Sequence, residues 1–158
     1  MCLELQGGKF MFKLALNAGH GLYTAGKRCM KKLDPNETRE WSLNNRICDK
    51  IEEKLKIYKD IEILRLDDTT GKTDISLKRR TDSANNFKAD FYLSIHHNAG
   101  VNGGSGGGLE TYIHTNASDE STKWQKELYK NLIKNINTLI KRGYSNNHIN
   151  IILSQSDF

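Results

Sequence analysis

The stretch Leu14-Ala15-Leu16-Asn17-Ala18-Gly19-His20-Gly21 runs an apolar segment into a small, polar turn and places a histidine just past the junction. Leu14 to Leu16 read as a short buried strand, so His20 falls at its carboxyl end. Ser94-Ile95-His96-His97-Asn98-Ala99 repeats the arrangement after the apolar run that begins at Phe91. In open α/β sheets the ligand crevice lies at the carboxyl ends of the strands. Two histidines delivered there point to a metal site.

A third ligand is available where the next helical pattern begins. Glu40 opens a segment in which Leu43, Ile47, Ile51 and Leu55 recur at helical spacing. A carboxylate in a first helical turn can point off the helix end into the same crevice. Two histidines and one glutamate leave a fourth tetrahedral position for water, which is the arrangement of a catalytic zinc ion. Glu37 competes with Glu40 for this role, whereas Glu52 and Glu53 lie too far down the helix. His96 and His97 are neighbours, so in an extended strand they face opposite ways and only one can join. Alternation alone leaves open which. His114 and His148 read as structural.

Working outward, the chain alternates strand and helix. Strands are expected at Phe12 to Asn17, Ile61 to Leu66, Ala89 to His96 and Leu109 to His114, and a fifth apolar run covers Ile149 to Leu153. Helices are expected from about Arg39 to Tyr58, from Ser76 to Phe87 with Asp74 or Ser76 as cap, and after a cap at Ser118 or Asp119. In the last of these Trp124, Leu128, Leu132 and Ile136 share one face. This order predicts a single α/β domain with a mainly parallel central sheet flanked by helices. The glycine run Gly103 to Gly108 leads into a strand and lacks the Lys-Ser/Thr of a nucleotide loop, so it reads as a mobile crevice border.

Composition narrows the class. The chain has 158 residues with a net charge of +5, an isoelectric point near 9.1 and a mean hydropathy of -0.65. That length suits one domain, and no window approaches the ~20 apolar residues of a membrane span, so no membrane insertion is expected. Met1 to Phe10 lack the features of a secretory signal, which predicts a product that is cytoplasmic as synthesised. Cys2, Cys29 and Cys48 are odd in number and far apart, so they read as free thiols, Cys48 half-buried on its helix. The positive balance favours anionic partners. Nucleic acid has only that charge in its favour, since no recognition helix or aromatic-studded sheet is evident, and it is not expected as a partner.

Taken together these strings resemble the zinc-dependent N-acetylmuramoyl-L-alanine amidases, the cell-wall hydrolases that include bacterial amidases and phage endolysins. The resemblance rests on Asn17-Ala18-Gly19-His20-Gly21, on Glu40, on Leu77 to Asn85 with Arg80, on Ser94 to Ala99, and on Leu109-Glu110-Thr111-Tyr112. It implies that His20, Glu40 and His96 bind Zn2+, His96 because the family histidine precedes x-Asn-Ala. It implies hydrolysis of the amide between N-acetylmuramic acid and L-alanine, with peptidoglycan as the partner and action on the wall after release; a monomer is expected. Asn98 and Arg80 are candidate substrate contacts, although Arg80 also reads as a residue that orders its local turn.

The resemblance weakens after about Lys130. Family members carry a general-base glutamate in a Pro-Ala-Val-Leu-x-Glu-like segment followed by a final helix, and neither occurs before Phe158. The fold is therefore expected to lack the family's last strand and helix, and Glu110 is the only nearby carboxylate left for acid/base work. The chain is accordingly read as truncated, with doubtful activity. A muropeptide-binding remnant is the alternative. At the other end, Gln6-Gly7-Gly8-Lys9-Phe10-Met11 can be encoded as CAA GGA GGU AAA UUU AUG, a ribosome-binding sequence ahead of a start codon. Residues 1–10 are thus expected to be a disordered upstream extension, and 11–158 the C-terminally incomplete catalytic domain.

Overall fold

Side chains along a strand alternate between faces, and in β1 (Phe12–Ala18) this alternation sorts the core into two layers. Leu14, Leu16 and Ala18 pack with Leu93, Ile95, Trp41 and Cys48 on one face of the sheet. Ala15 packs with Tyr92, Leu66 and Ala84 on the other. β1 is buried from Leu14 to Ala18, as a strand covered on both faces must be. The computed structural model describes residues 11–98, 108–142 and 150–155.

The remaining elements follow in the order α1 (Glu40–Leu55), β2 (Ile61–Arg65), α2 (Leu77–Phe87), β3 (Phe91–His96), β4 (Gly108–Ile113), α3 (Asp119–Lys141) and β5 (Asn150–Gln155). They form one five-stranded sheet ordered β2-β1-β3-β5-β4. β1 runs parallel to β2 and β3, and β4 parallel to β5; the β3–β5 pairing is antiparallel. The sheet is thus mainly parallel, with β5 reversed relative to β3. α1 and α3 cover one face, where Trp124 packs its ring 6.2 Å from Phe12 and 5.6 Å from Phe91. α2 covers the other through Ala84. Among the described residues no helix is long and apolar enough to cross a membrane.

Several boundaries and contacts differ from the sequence reading. α1 ends at Leu55 rather than Tyr58, and β3 begins at Phe91 rather than Ala89. The deepest stripe of α1 is Trp41, Asn44 and Cys48, while Ile47, Ile51 and Leu55 are partly buried beside it. The helix is therefore rotated to aim its polar Asn44 inward, and Cys48 is wholly buried instead of half-buried. Burial pushes its thiol up to about 12. Ser76, not Asp74, caps α2 by accepting from the Arg79 N–H, and Ser118 accepts from the Ser121 N–H ahead of α3. The glycine run up to Gly107 and residues 1–10 lie outside the described residues, as do Ala99 and His148.

One buried cation ties α1 to the sheet. Arg65, at the end of β2, donates to Asp49, Glu52 and Asn45 of α1 and to Asp67, with donor–acceptor distances from 2.6 to 3.0 Å. Asp67 also accepts the Ala18 N–H at 3.0 Å, which steers the chain where β1 gives way to the turn. A buried Arg left with this many carboxylate acceptors is satisfied. Core packing carries the rest. Leu16→Ala is expected to cost about 3 kcal/mol in urea unfolding, because a fully buried leucine leaves a cavity. Leu77→Ala, at a position 80% exposed, should change stability by less than about 0.5 kcal/mol.

Candidate metal centre

The turn after β1 begins at Gly19, whose N–H is taken by the Ile95 carbonyl of β3 at 2.9 Å. This bond draws the ends of the two central strands together. A Cβ on Gly19 would lie 2.1 Å from Cε1 of His96, so only glycine leaves room for that ring. His20 follows with a φ of 66°, a left-handed conformation that costs a non-glycine residue free energy and persists only where its surroundings enforce it.

Those surroundings are polar, with a buried cation at their centre. Arg80 of α2 is 2% exposed and donates to Asn17 Oδ1 at 2.9 Å, to the His20 carbonyl at 3.3 Å and to Asp74 at 2.9 Å. Asp74 accepts in turn from the Thr24 hydroxyl, and Thr24 accepts the Gly21 N–H at 2.9 Å. On the sheet, Asn17 donates to Ser94 Oγ at 2.7 Å across the β1–β3 pair. Arg80 therefore acts by holding the His20 turn in place. Its guanidinium lies inside the fold.

Glu40 reaches the same point from the first residue of α1. Its Oε1 lies 3.0 Å from His96 Nδ1 and 3.5 Å from His20 Nε2, and the two imidazoles meet edge to face with centroids 4.9 Å apart. One ligand atom from each of His20, Glu40 and His96 lies within 4.8 Å of the other two. Among the described residues this is the one such group of His, Cys, Asp or Glu. Burial favours neutral His20 and lowers it below its ordinary 6.5, although Glu40 pulls the other way. Burial also opposes the charge on Glu40, but the His96 hydrogen bond and the nearby His20 and Lys27 outweigh it, so its carboxyl falls below the ordinary 4.5. Both groups are thus held in the states that donate to a cation.

The other candidates fall elsewhere. His97 lies just past the end of β3, so strand alternation no longer sets its direction, and its Nδ1 lies 2.7 Å from Asn44 Oδ1. Asn44 also donates to the Gly19 carbonyl at 3.0 Å, a buried link that sequence reasoning missed because an asparagine within a helix carries no periodic signal. Glu37 pairs with Arg28 at 3.2 Å. Glu110 accepts from Asn98 Nδ2 and from the Tyr112 hydroxyl, each at 3.0 Å, on the exposed surface. His114 Nδ1 accepts the Asn116 N–H in the turn after β4.

Two imidazoles and a carboxylate thus converge at one end of the sheet in an α/β domain with helices on both faces. The profile of the family described as N-acetylmuramoyl-L-alanine amidase matches residues 14–157, and the chain belongs to that family. It is 42% identical over 60 residues to the sporulation-specific N-acetylmuramoyl-L-alanine amidase of Bacillus subtilis (strain 168), covering 38% of this chain and 22% of that protein. It is 30% identical over 124 residues to the N-acetylmuramoyl-L-alanine amidase CwlM of Bacillus licheniformis, covering 78% of this chain and 45% of the relative. The fold is similar to the crystal structure of an N-acetylmuramoyl-L-alanine amidase from Clostridium difficile 630, with a TM-score of 0.62, 34% identity, and 73% and 59% of the two chains covered. It is also similar to the catalytic domain of CwlV from Bacillus (Paenibacillus) polymyxa var. colistinus, with a TM-score of 0.56, 28% identity, and 66% and 55% coverage. The chain thus spans less than half the length of these two sequence relatives.

Two outcomes follow from this geometry. Gly19→Ala should displace the His96 ring, seen as large shifts of its imidazole resonances with those of His114 unchanged; an unmoved His96 would contradict the contact. Because burial depresses His20, and likewise His97, the metal-free chain should gain no stability from them on acidification. Their contribution is present above the unfolded value of 6.5 and is lost as pH falls through their lower folded values. Urea midpoints measured from pH 8 to pH 5 should therefore decline across that window, and a rise would contradict it.

Proposed function

We propose that His20, Glu40 and His96 bind a zinc ion and that the chain hydrolyses the amide between N-acetylmuramic acid and L-alanine in peptidoglycan. The observation that carries this reading is the convergence of the three donor atoms. Zinc bonds to imidazole nitrogen and carboxylate oxygen run to about 2.0–2.2 Å, which sets tetrahedral ligands roughly 3.3 Å apart. The 3.0 and 3.5 Å separations around Glu40 Oε1 match that spacing. Two imidazole nitrogens and one carboxylate oxygen form a donor set that suits zinc.

Within this reading the chain's own residues divide the work. Bound zinc supplies a polarised carbonyl and a water acidic enough to attack near neutral pH. Gly19 clears space for His96. Arg80 and Asp74 hold the turn that presents His20, and Asn44 fixes the Gly19 carbonyl from the other side. His97 is occupied by Asn44 and stays outside the ligand set. Asn98, exposed at the end of β3, is placed to meet the muropeptide. Residues 11–158 form the catalytic domain in this proposal.

Proton transfer needs a further group. Glu110 is proposed for it, as the carboxylate that shares a hydrogen bond with Asn98. That same bond favours a second reading, in which Glu110 is engaged at the surface and the domain grips muropeptide without cutting it. The two separate cleanly. Incubation of the zinc-loaded chain with purified peptidoglycan should release new L-alanine amino termini, and Glu110→Gln should abolish that release. Binding without new termini would select the second reading.

The metal itself is tested separately. Equilibrium dialysis should give one zinc per chain, and His20→Ala, Glu40→Gln or His96→Ala should each weaken it by more than about a hundredfold, as expected when one ligand of a three-residue site is removed. His97→Ala should retain one zinc. Equal affinity in all four variants would contradict the ligand set.

A further inference from the structure

One charged side chain beside the centre has so far served only to stabilise the Glu40 carboxylate. Lys27 lies in the loop between β1 and α1, and it is not at a free loop tip. Its carbonyl accepts the Glu40 N–H at 3.1 Å, the Cys29 N–H donates to the Thr38 carbonyl at 2.9 Å, and Arg28 bridges to Arg39. This short ladder fixes Lys27 beside the first residue of α1. Its ammonium lies 4.0 Å from Glu40 Oε2, and its side chain is 45% exposed. One end of the contact is therefore in the crevice and the other is open to an incoming molecule.

Charge counting gives Lys27 a function that rests on the zinc-amidase reading. In the metal-free chain Glu40 is its counter-ion. Once a dication takes the Glu40 carboxylate, two neutral imidazoles, one carboxylate and the dication leave a net positive centre, and Lys27 faces like charge at short range. A substrate anion relieves that repulsion. We infer that Lys27 is a specificity-determining residue that binds a carboxylate of the incoming substrate beside the metal ligands. The substrate class is an acyl-peptide carrying a free acid there, in preference to the same peptide as its carboxamide. Arg28 is less suited, being paired with Glu37.

Calorimetry on the zinc-loaded full chain tests this with two ligands, N-acetylmuramoyl-L-alanyl-D-glutamate and its diamide, in which both glutamate carboxyls are carboxamides. The acid should bind wild type at least tenfold more tightly. Lys27→Met should abolish the difference and Lys27→Arg should keep it, while both still take up one zinc. Equal affinities in wild type, a preference that survives Lys27→Met, or binding of neither ligand overturns the inference. If wild type takes up no zinc, the metal reading fails and this inference with it; if zinc binds without a preference for the acid, only the role of Lys27 fails.

Discussion

A single carboxylate lodged between two imidazoles governs this structure. Glu40 Oε1 sits 3.0 Å from one ring and 3.5 Å from the other, with its side chain only 12% exposed. Burying a charge in this way is costly unless it is matched by hydrogen bonds or a cation. Here the match comes from groups that arrive on separate elements: the turn after β1, the start of α1 and the end of β3. The close approach of those elements, including a glycine where any side chain would strike His96, has its clearest physical rationale in that convergence.

The second layer explains how the convergence is maintained. His20 holds a left-handed backbone conformation, and the Arg80 guanidinium donates both to the His20 carbonyl in that turn and to Asn17 in the sheet. Asn44 performs the corresponding task from the opposite layer. Helices on both faces of the sheet thus hold the one turn. Arg65 and Asp67 lie further out and set where β1 ends, so the sheet, the helices and the site form one continuous polar framework.

Much of this was legible in the sequence, for identifiable reasons. Apolar runs ending in Gly-His or His-x-Asn mark strand ends, and the 3.6-residue period marks α1, so the order of elements and a meeting of histidines with a helix-start glutamate could be read directly, while the choice of Glu40 and His96 came from the family resemblance. The face of α1 could not. Leu43, Ile47, Ile51 and Leu55 form the more regular stripe, yet the helix turns Asn44 and Cys48 inward, because a buried asparagine gains two partners there that no periodicity registers. The direction of β5 was equally hidden: a short apolar run carries no information about whether its neighbour lies parallel or antiparallel. The competition between His96 and His97 was undecidable by alternation because β3 stops at His96.

The chain belongs to the N-acetylmuramoyl-L-alanine amidase family, and the triad supplies the physical basis for the chemistry proposed. The most direct test of that basis is a zinc K-edge X-ray absorption spectrum of the metal-loaded chain. The account predicts two imidazole nitrogens and a first shell completed by oxygen at about 2.0–2.1 Å. Sulfur scattering near 2.3 Å, the mark of thiolate ligation by a cysteine such as Cys29, or a shell with a single imidazole, would contradict it.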